Sequence, residues 1–352
     1  MMDDKKDASA LPPGTPRDIR LGMTKAEDVA FPLRWGILGA GEISRQWVLA
    51  SSACEGATLA AVAARSEDRA KAFASQYGIE TAYGSYAEML SSPDVDIVYI
   101  GTISSLHKDH SLMAIEAGKH VLCEKALAEN VDDAREMYAA AEKKDVMLQD
   151  GVWTRFFPAV EHARTVIESG AIGEVVMVQA DFDPIYTTQA VTLAFGIEEK
   201  PTSVAAAGRR AGGAILEFED NKFAILTFIA FNSEFPEVTE IVGSKGRITL
   251  EQPGHSPTTL TIRVPPRAPS RYMGANTPAP MQSFEYPLPE SVSIPNAYPN
   301  QQGFLYQAEA IHRCLAAGLR ECPQYGKAES LHTLDLLARI HASRRSAADR
   351  LS

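Results

Sequence analysis

Cysteine is scarce in this sequence. Cys54, Cys123, Cys314 and Cys322 are the only four, far apart and with no Cys-x-x-Cys pair. That spacing offers neither a disulfide framework nor a metal-ligand cluster, so reduced thiols and no metal are expected. Basic charge is not in excess either: 34 Lys and Arg stand against 45 Asp and Glu, a net charge of −11. Nucleic acid and anionic membrane surfaces demand a basic face, so neither is expected as a partner. No apolar run is long enough to span a bilayer. The opening Met1–Met2–Asp3–Asp4–Lys5–Lys6–Asp7 lacks the apolar core of a secretory signal and is too acidic for a mitochondrial presequence. The expectation is a cytoplasmic protein, long enough at 352 residues for two domains.

What the chain does have is a change of pattern at Arg34. Residues 1–33 mix charges with Pro12–Pro13–Gly14 and Pro16 and show no periodicity, which reads as a flexible extension. From there short apolar strands (34–39, 57–64, 95–100, 120–123, 146–149) alternate with helical segments (42–53, 67–77, 85–91, 108–118, 131–144). Nearly all-apolar strands alternating with helices predict a parallel sheet covered on both faces, over residues 34–152. The second half predicts a helix at 158–169, a strand at 174–182 and a helix at about 186–195. Strands at 202–210, 213–219, 222–231, 237–242 and 247–251 follow. Short turns such as Asp220–Asn221 and Ser244–Lys245–Gly246 make these strands antiparallel. Residues 252–300 read as loop with one or two strands, and helices at 301–317 and 327–345 close the chain.

The first strand ends in Gly39-x-Gly41-x-x-Ser44 and a helix follows at once. Strand, glycine turn and helix start together bring a pyrophosphate onto backbone N–H groups, so a dinucleotide site is expected here. At the end of the second strand, where NAD-binding proteins place an acid, stands Ala64–Arg65–Ser66. A guanidinium there suits a 2′-phosphate and favours NADP; the plainer reading is a solvent-facing Arg with Ser66 as an N-cap. A buried strand ending in Glu124–Lys125 delivers charged groups to the carboxyl edge of the sheet, beside the cofactor.

Three segments carry a family resemblance: the Gly39–Ile43 turn, the Ala117–Lys125 run AGKHVLCEK, and the Trp153–Pro158 segment WTRFFP. Together they resemble the Gfo/Idh/MocA oxidoreductases. Within that family the chain looks most like the dimeric dihydrodiol dehydrogenases and the fungal NADP-dependent D-xylose 1-dehydrogenases. The resemblance covers about residues 34–345. It implies an α/β chain with an N-terminal Rossmann domain (34–152) and a C-terminal α+β domain (153–345) whose sheet is open and mostly antiparallel. It also implies a homodimer, and hydride transfer between NADP and a small-molecule sugar or diol. Cofactor contacts carry over to Gly39, Gly41, Glu42, Ile43, Arg65, Ser66, Thr102, His107, Glu124, Lys125, Trp153 and Arg155. The substrate contacts carried over are Lys125, Trp153, Asp183 and Tyr186. Tyr186 is the implied acid/base and Lys125 its partner, since a phenol titrates at ~10 and needs a cationic neighbour to work near neutral pH. For Phe156 and Phe157, core packing is the preferred reading.

The chain departs from that family at several places. Ala126 replaces the Pro after Glu-Lys, and Ser104 replaces a His, while His107 is retained. Relatives carry a glycine-rich segment before the tyrosine; here Asp181–Phe182–Asp183–Pro184–Ile185–Tyr186 runs on directly, with Asp183 one position nearer Tyr186 than its counterpart. A second shortening falls at Gly208–Arg209–Arg210–Ala211–Gly212–Gly213. Misplacing a reacting group by about 1 Å costs ~100-fold in rate. Two readings therefore stay open: an NADP-dependent dehydrogenase, and a nucleotide-binding member, a sensor or partner protein, with impaired catalysis.

Overall fold

The computed structural model describes residues 11–208, 211–229, 235–265 and 279–349. In chain order the first part holds α1 (Arg17–Arg20), β1 (Leu33–Leu38), α2 (Glu42–Ser51), β2 (Ala57–Ala63), α3 (Glu67–Tyr77) and β3 (Thr81–Tyr83). It continues with α4 (Tyr86–Ser91), β4 (Ile97–Ile100), α5 (His107–Glu116), β5 (His120–Glu124), α6 (Val131–Lys144) and β6 (Leu148–Gly151). Next come α7 (Pro158–Glu168), β7 (Val175–Phe182), α8 (Pro184–Phe195), β8 (Ser203–Gly208), β9 (Ala211–Glu217) and β10 (Phe223–Ile229). The chain ends with β11 (Thr239–Gly243), β12 (Arg247–Leu250), β13 (Thr259–Arg263), β14 (Met281–Glu285), α9 (Phe304–Ala316) and α10 (Lys327–Asp349).

Two units divide these elements. The first takes residues 16–156 and 288–331, the second residues 157–287 and 332–352, each with a short piece of the N-terminal segment.

The first unit is built on six parallel strands in the order β3-β2-β1-β4-β5-β6. The helical crossovers run outward from β1 in one direction and from β4 in the other, and crossovers of the usual hand then put helices on both faces. This explains why β4 is buried at all four positions and why its sequence is apolar throughout. β3 was not foreseen, because three residues are too few to show a period. Trp47 stacks on Tyr99 with ring centroids 4.4 Å apart and meets Trp35 at 4.6 Å, filling the layer under β1.

Two expectations about this unit are overturned. Residues 11–33 are not a loose extension: Asp18 is fully buried and accepts two hydrogen bonds from Arg313, at 2.6 and 3.1 Å, and others from Thr24 and Gln324. A buried charge-paired anchor leaves no trace in hydrophobic periodicity. Residues 1–10 of the expected extension lie outside the described residues. Second, the helix expected at 301–317 belongs here and not with the substrate half. Trp35 Nε1 donates to His312 Nε2 at 3.1 Å, and Phe304 packs on Trp153 at 4.8 Å.

The second unit holds an eight-stranded sheet in the order β14-β13-β12-β11-β7-β10-β9-β8. Every neighbouring pair is antiparallel except β7 with β10. In β10 every second residue is buried, as a strand with one packed face requires, whereas β12 and β13 are each buried at three consecutive positions. The predicted strand ends at 209–210 and 230–231, and the Arg209–Arg210 part of the second shortening, fall outside the described residues.

Candidate functional site

In the first unit the strand order reverses between β1 and β4, the switch point where open α/β sheets bind ligands. Gly39 leaves β1 with φ 104, and a Cβ there would sit 3.0 Å from Thr102 Cγ2, which follows β4. Only glycine meets both demands without strain. Gly41 is the N-cap of α2, and no side chain caps that helix. The first-turn N–H groups, those of Glu42 and Ile43 among them, therefore face the turn without a side-chain acceptor, which suits an anion. The Glu42 carboxylate itself bends back to Arg45 at 2.6–3.1 Å and Gln46 at 2.8 Å. Hydrogen bonding to Arg45 holds it below the usual carboxylate range.

Arg65 and Ser66 follow β2 on the same edge, and both are exposed. Ser66 is the N-cap of α3, as its type predicts, yet its hydroxyl makes no capping bond. Sequence reading missed Arg69. Its Nη2 donates to the carbonyl of Ala40 at 3.2 Å, so α3 lays a guanidinium against the glycine turn. The available signal was its spacing, four residues beyond Arg65. The residues present thus fit a dinucleotide: a glycine cradle that a Cβ would fill, an uncapped helix start, Arg69 against the turn, and an exposed Arg65 at the end of β2.

Further along the edge the side chains diverge from expectation. His107 is buried, with Nδ1 2.8 Å from the Ala126 carbonyl and Nε2 3.1 Å from that of Thr102. It ties the loops after β4 and β5 together instead of offering a ring nitrogen to a ligand. Thr102 Oγ1 lies 3.0 Å from His110 Nδ1. Glu124 does not reach the edge: its Oε1 accepts from the Tyr99 hydroxyl at 2.8 Å, inside the layer. Burial lifts its carboxyl above the ordinary value. Lys125, next along the chain, is half-buried, and the Lys125–Ala126 peptide is cis.

Sequence reading also missed Asp150, on β6 beside Cys123 of β5. Its Oδ2 accepts from Ser330 Oγ at 2.6 Å, and its Oδ1 has no hydrogen-bond partner. Burial, with the Glu124 charge nearby, pushes its carboxyl up to about 7. Trp153 and Arg155, expected to line the pocket, both turn inward. Trp153 is 1% exposed against Phe304. Arg155 Nη2 meets Glu329 at 2.5 Å, with its guanidinium over Tyr325. A pattern of WTRFFP cannot show that its cation has a carboxylate 174 residues away. Phe156 and Phe157 are core, as expected.

In the second unit β7 passes into α8 through Asp183 alone. Asp183 Oδ1 accepts from the Ile185 N–H at 3.1 Å, so this residue, expected to contact substrate, caps the helix. Tyr186 lies on the first turn of α8, its ring 7% exposed and stacked on Phe182 at 5.5 Å. His255 completes a cluster of three rings, 4.5 Å from Phe182 and 5.2 Å from Tyr186. Its Nδ1 is 2.8 Å from Glu237 Oε2. Neither His255 nor Glu237 stood out in the sequence, because each is an isolated polar residue in a loop. Among the described residues no cluster of His, Cys, Asp and Glu could hold a metal, and no helix is long and apolar enough to cross a membrane.

Comparison with known proteins bears on this geometry. Residues 33–152 match the Gfo/Idh/MocA description, "Oxidoreductase family, NAD-binding Rossmann fold". The chain is 36% identical to a trans-1,2-dihydrobenzene-1,2-diol dehydrogenase of Xenopus laevis over 84% of its own length and 93% of the relative's. The enzyme of that name from Homo sapiens is 30% identical over 88% of this chain and 96% of its own. In fold the chain is similar to a levoglucosan dehydrogenase solved with NADH and levoglucosan. The TM-score is 0.74 at 18% identity, over 90% of this chain and 98% of that one. It is similar also to a 3-ketoreductase from Actinomadura kijaniata solved with NADP and TDP-benzene. Here the TM-score is 0.72 at 22% identity, over 89% of this chain and 98% of that one.

Proposed function

Since the chain belongs to the Gfo/Idh/MocA oxidoreductases, an NAD(P)-binding family, we propose that it is an NADP-dependent dehydrogenase acting on a trans-dihydrodiol or a D-xylose-like aldose. The observation that carries this reading is the Arg69 guanidinium on the glycine turn, with Arg65 four residues before it in sequence, beside relatives named as diol dehydrogenases. Arg65 stands at the position after β2 where NAD-binding proteins place an acid, and Arg69 follows. The carboxylates between them lie in the first turn of α3, Glu67 being paired with Lys71, so the position favours a 2′-phosphate over a bare ribose hydroxyl. When bound, the nicotinamide supplies or accepts the hydride.

The chain's own residues would do the rest. The α2 N-terminus and glycine turn hold the pyrophosphate, with Gly39 keeping the backbone close. Tyr186 takes the proton of the substrate hydroxyl in oxidation and returns it in reduction. Lys125, which follows β5, is the cation that the family pattern assigns to lowering the phenol's pKa. A second copy of the chain is the partner in this reading, docked on the sheet of the second unit, where Ile215 and Met281 are exposed.

The direct β7–α8 connection favours a second reading, a nucleotide-binding member without turnover. A paired measurement separates the two: NADPH binding by fluorescence, then turnover across trans-dihydrodiols and aldoses, with K125A and Y186F as controls. Turnover that falls at least tenfold in both variants supports the enzyme. Tight NADPH binding with no turnover supports the second reading, and no NADPH binding sinks both.

A further inference from the structure

We infer that His255 is a positioning residue for Tyr186, held in register by Glu237. The inference rests on the reading of Tyr186 as the proton-transfer group and adds to it the pair of residues that aims the phenol.

Strand pairing brings three separate loops to one end of the second sheet. Ala180, near the end of β7, pairs with Thr239 at the start of β11, and Thr239 pairs with Leu250 at the end of β12. The residues after β7, before β11 and after β12 therefore meet, and these carry Phe182 with Tyr186, Glu237, and His255. The approach is close: the Gly254 N–H donates to the Glu237 carbonyl, and a Cβ at Gly254 would run into that oxygen.

Within this junction the rings are not interchangeable. His255 lies nearly parallel to Phe182, at 25°, and is tilted 53° against Tyr186. A phenylalanine at 255 would offer the same faces but could turn about its own axis. The imidazole cannot, because its Nδ1 is 2.8 Å from Glu237 Oε2. Meeting a carboxylate puts the proton on Nδ1 and fixes which way the ring points. His255 is 6% exposed and the Glu237 side chain 16%. A buried imidazole–carboxylate pair stabilises a fold no better than apolar packing would, so geometry is what it supplies. An activity that loses ~100-fold on a 1 Å displacement gives that geometry a use.

The test combines kinetics with a readout that needs no turnover. In the full-length protein with NADPH and a trans-dihydrodiol, E237A is expected to lower kcat about tenfold, the scale of lost outer-shell partners, with the KM for NADPH unchanged. E237Q, whose amide oxygen still accepts from Nδ1, is expected to lower it less. In a Y186F background E237A should add no further loss, because both changes act on one group. Nitrogen-15 NMR of the histidines should show His255 protonated at Nδ1 in the wild type and in E237Q, and a tautomer mixture in E237A. Equal losses from E237A with and without Tyr186 would overturn the inference, as would an Nε2-protonated His255 in the wild type. Full activity in Y186F would instead overturn the reading of Tyr186 and the inference with it. The tautomer pattern tells the two failures apart.

Discussion

Asp18 and Arg313 close a buried ion pair across 295 residues of sequence, with Arg313 Nε 2.6 Å from Asp18 Oδ2. This contact ties α1 and the residues that follow it into the first unit. Burial alone would raise the Asp18 carboxyl, but its bonds to Arg313 hold it below the ordinary value. Removing one partner of a buried pair typically costs about 3–5 kcal/mol, because the other charge is left alone. D18A should lose that much in urea unfolding. A lowered folded pKa also sets the sign with pH. The contribution is present above the unfolded value of 3.8 and is lost as pH falls through the lower folded one, so wild type and D18A should converge in strong acid.

Asp150 carries the opposite sign. Its folded pKa is raised from 3.8 to about 7, so the folded state holds a proton that the unfolded state has already released. Wild-type stability from this group is full below 3.8 and drains away as pH rises to about 7. D150N keeps an acceptor for Ser330 and has nothing to ionise. It should match wild type near pH 4 and exceed it at pH 8, by about 4 kcal/mol at most at 1.36 kcal/mol per unit. Denaturant midpoints at the two pH values check this.

The glycine turn makes a sharper demand on one atom. At φ 104, with Thr102 Cγ2 3.0 Å from where a Cβ would go, Gly39→Ala is strained by both backbone and neighbour. Backbone strain of that kind costs about 1–3 kcal/mol. The variant should melt earlier, and its NADPH affinity should fall at least tenfold, read by cofactor fluorescence.

Arg65 and Arg69 should discriminate between cofactors. A hydrogen bond to a charged group contributes about 1.5–3 kcal/mol, so R65A and R69A should each weaken NADPH binding about tenfold or more. NADH binding should stay within about threefold, since it offers no 2′-phosphate. Parallel titrations with the two reduced cofactors check both halves of the statement.

The backbone plan was legible in the residues. Strands buried on both faces have to be apolar along their length, so β1, β2, β4 and β5 stood out within a residue or two of their observed bounds. Short turns such as Asp220–Asn221 and Ser244–Lys245–Gly246 did the same for the strands they join. The glycine turn was legible because Gly39 must occupy a conformation other residues avoid.

Where the charged side chains point was not legible. Glu124 and Arg155 both stand in motifs that pointed to a ligand, yet Glu124 pairs with Tyr99, 25 positions away, and Arg155 with Glu329, 174 positions away. The cluster of Phe182, Tyr186 and His255 likewise exists only because β7, β11 and β12 are neighbours in the sheet. Local propensity and burial pattern act over a few residues, so sequence alone determined the alternation of strands with helices in the first unit and the place of the glycine turn. The partner of a buried charge is chosen by whatever distant segment packs against it, and only the tertiary structure decided that.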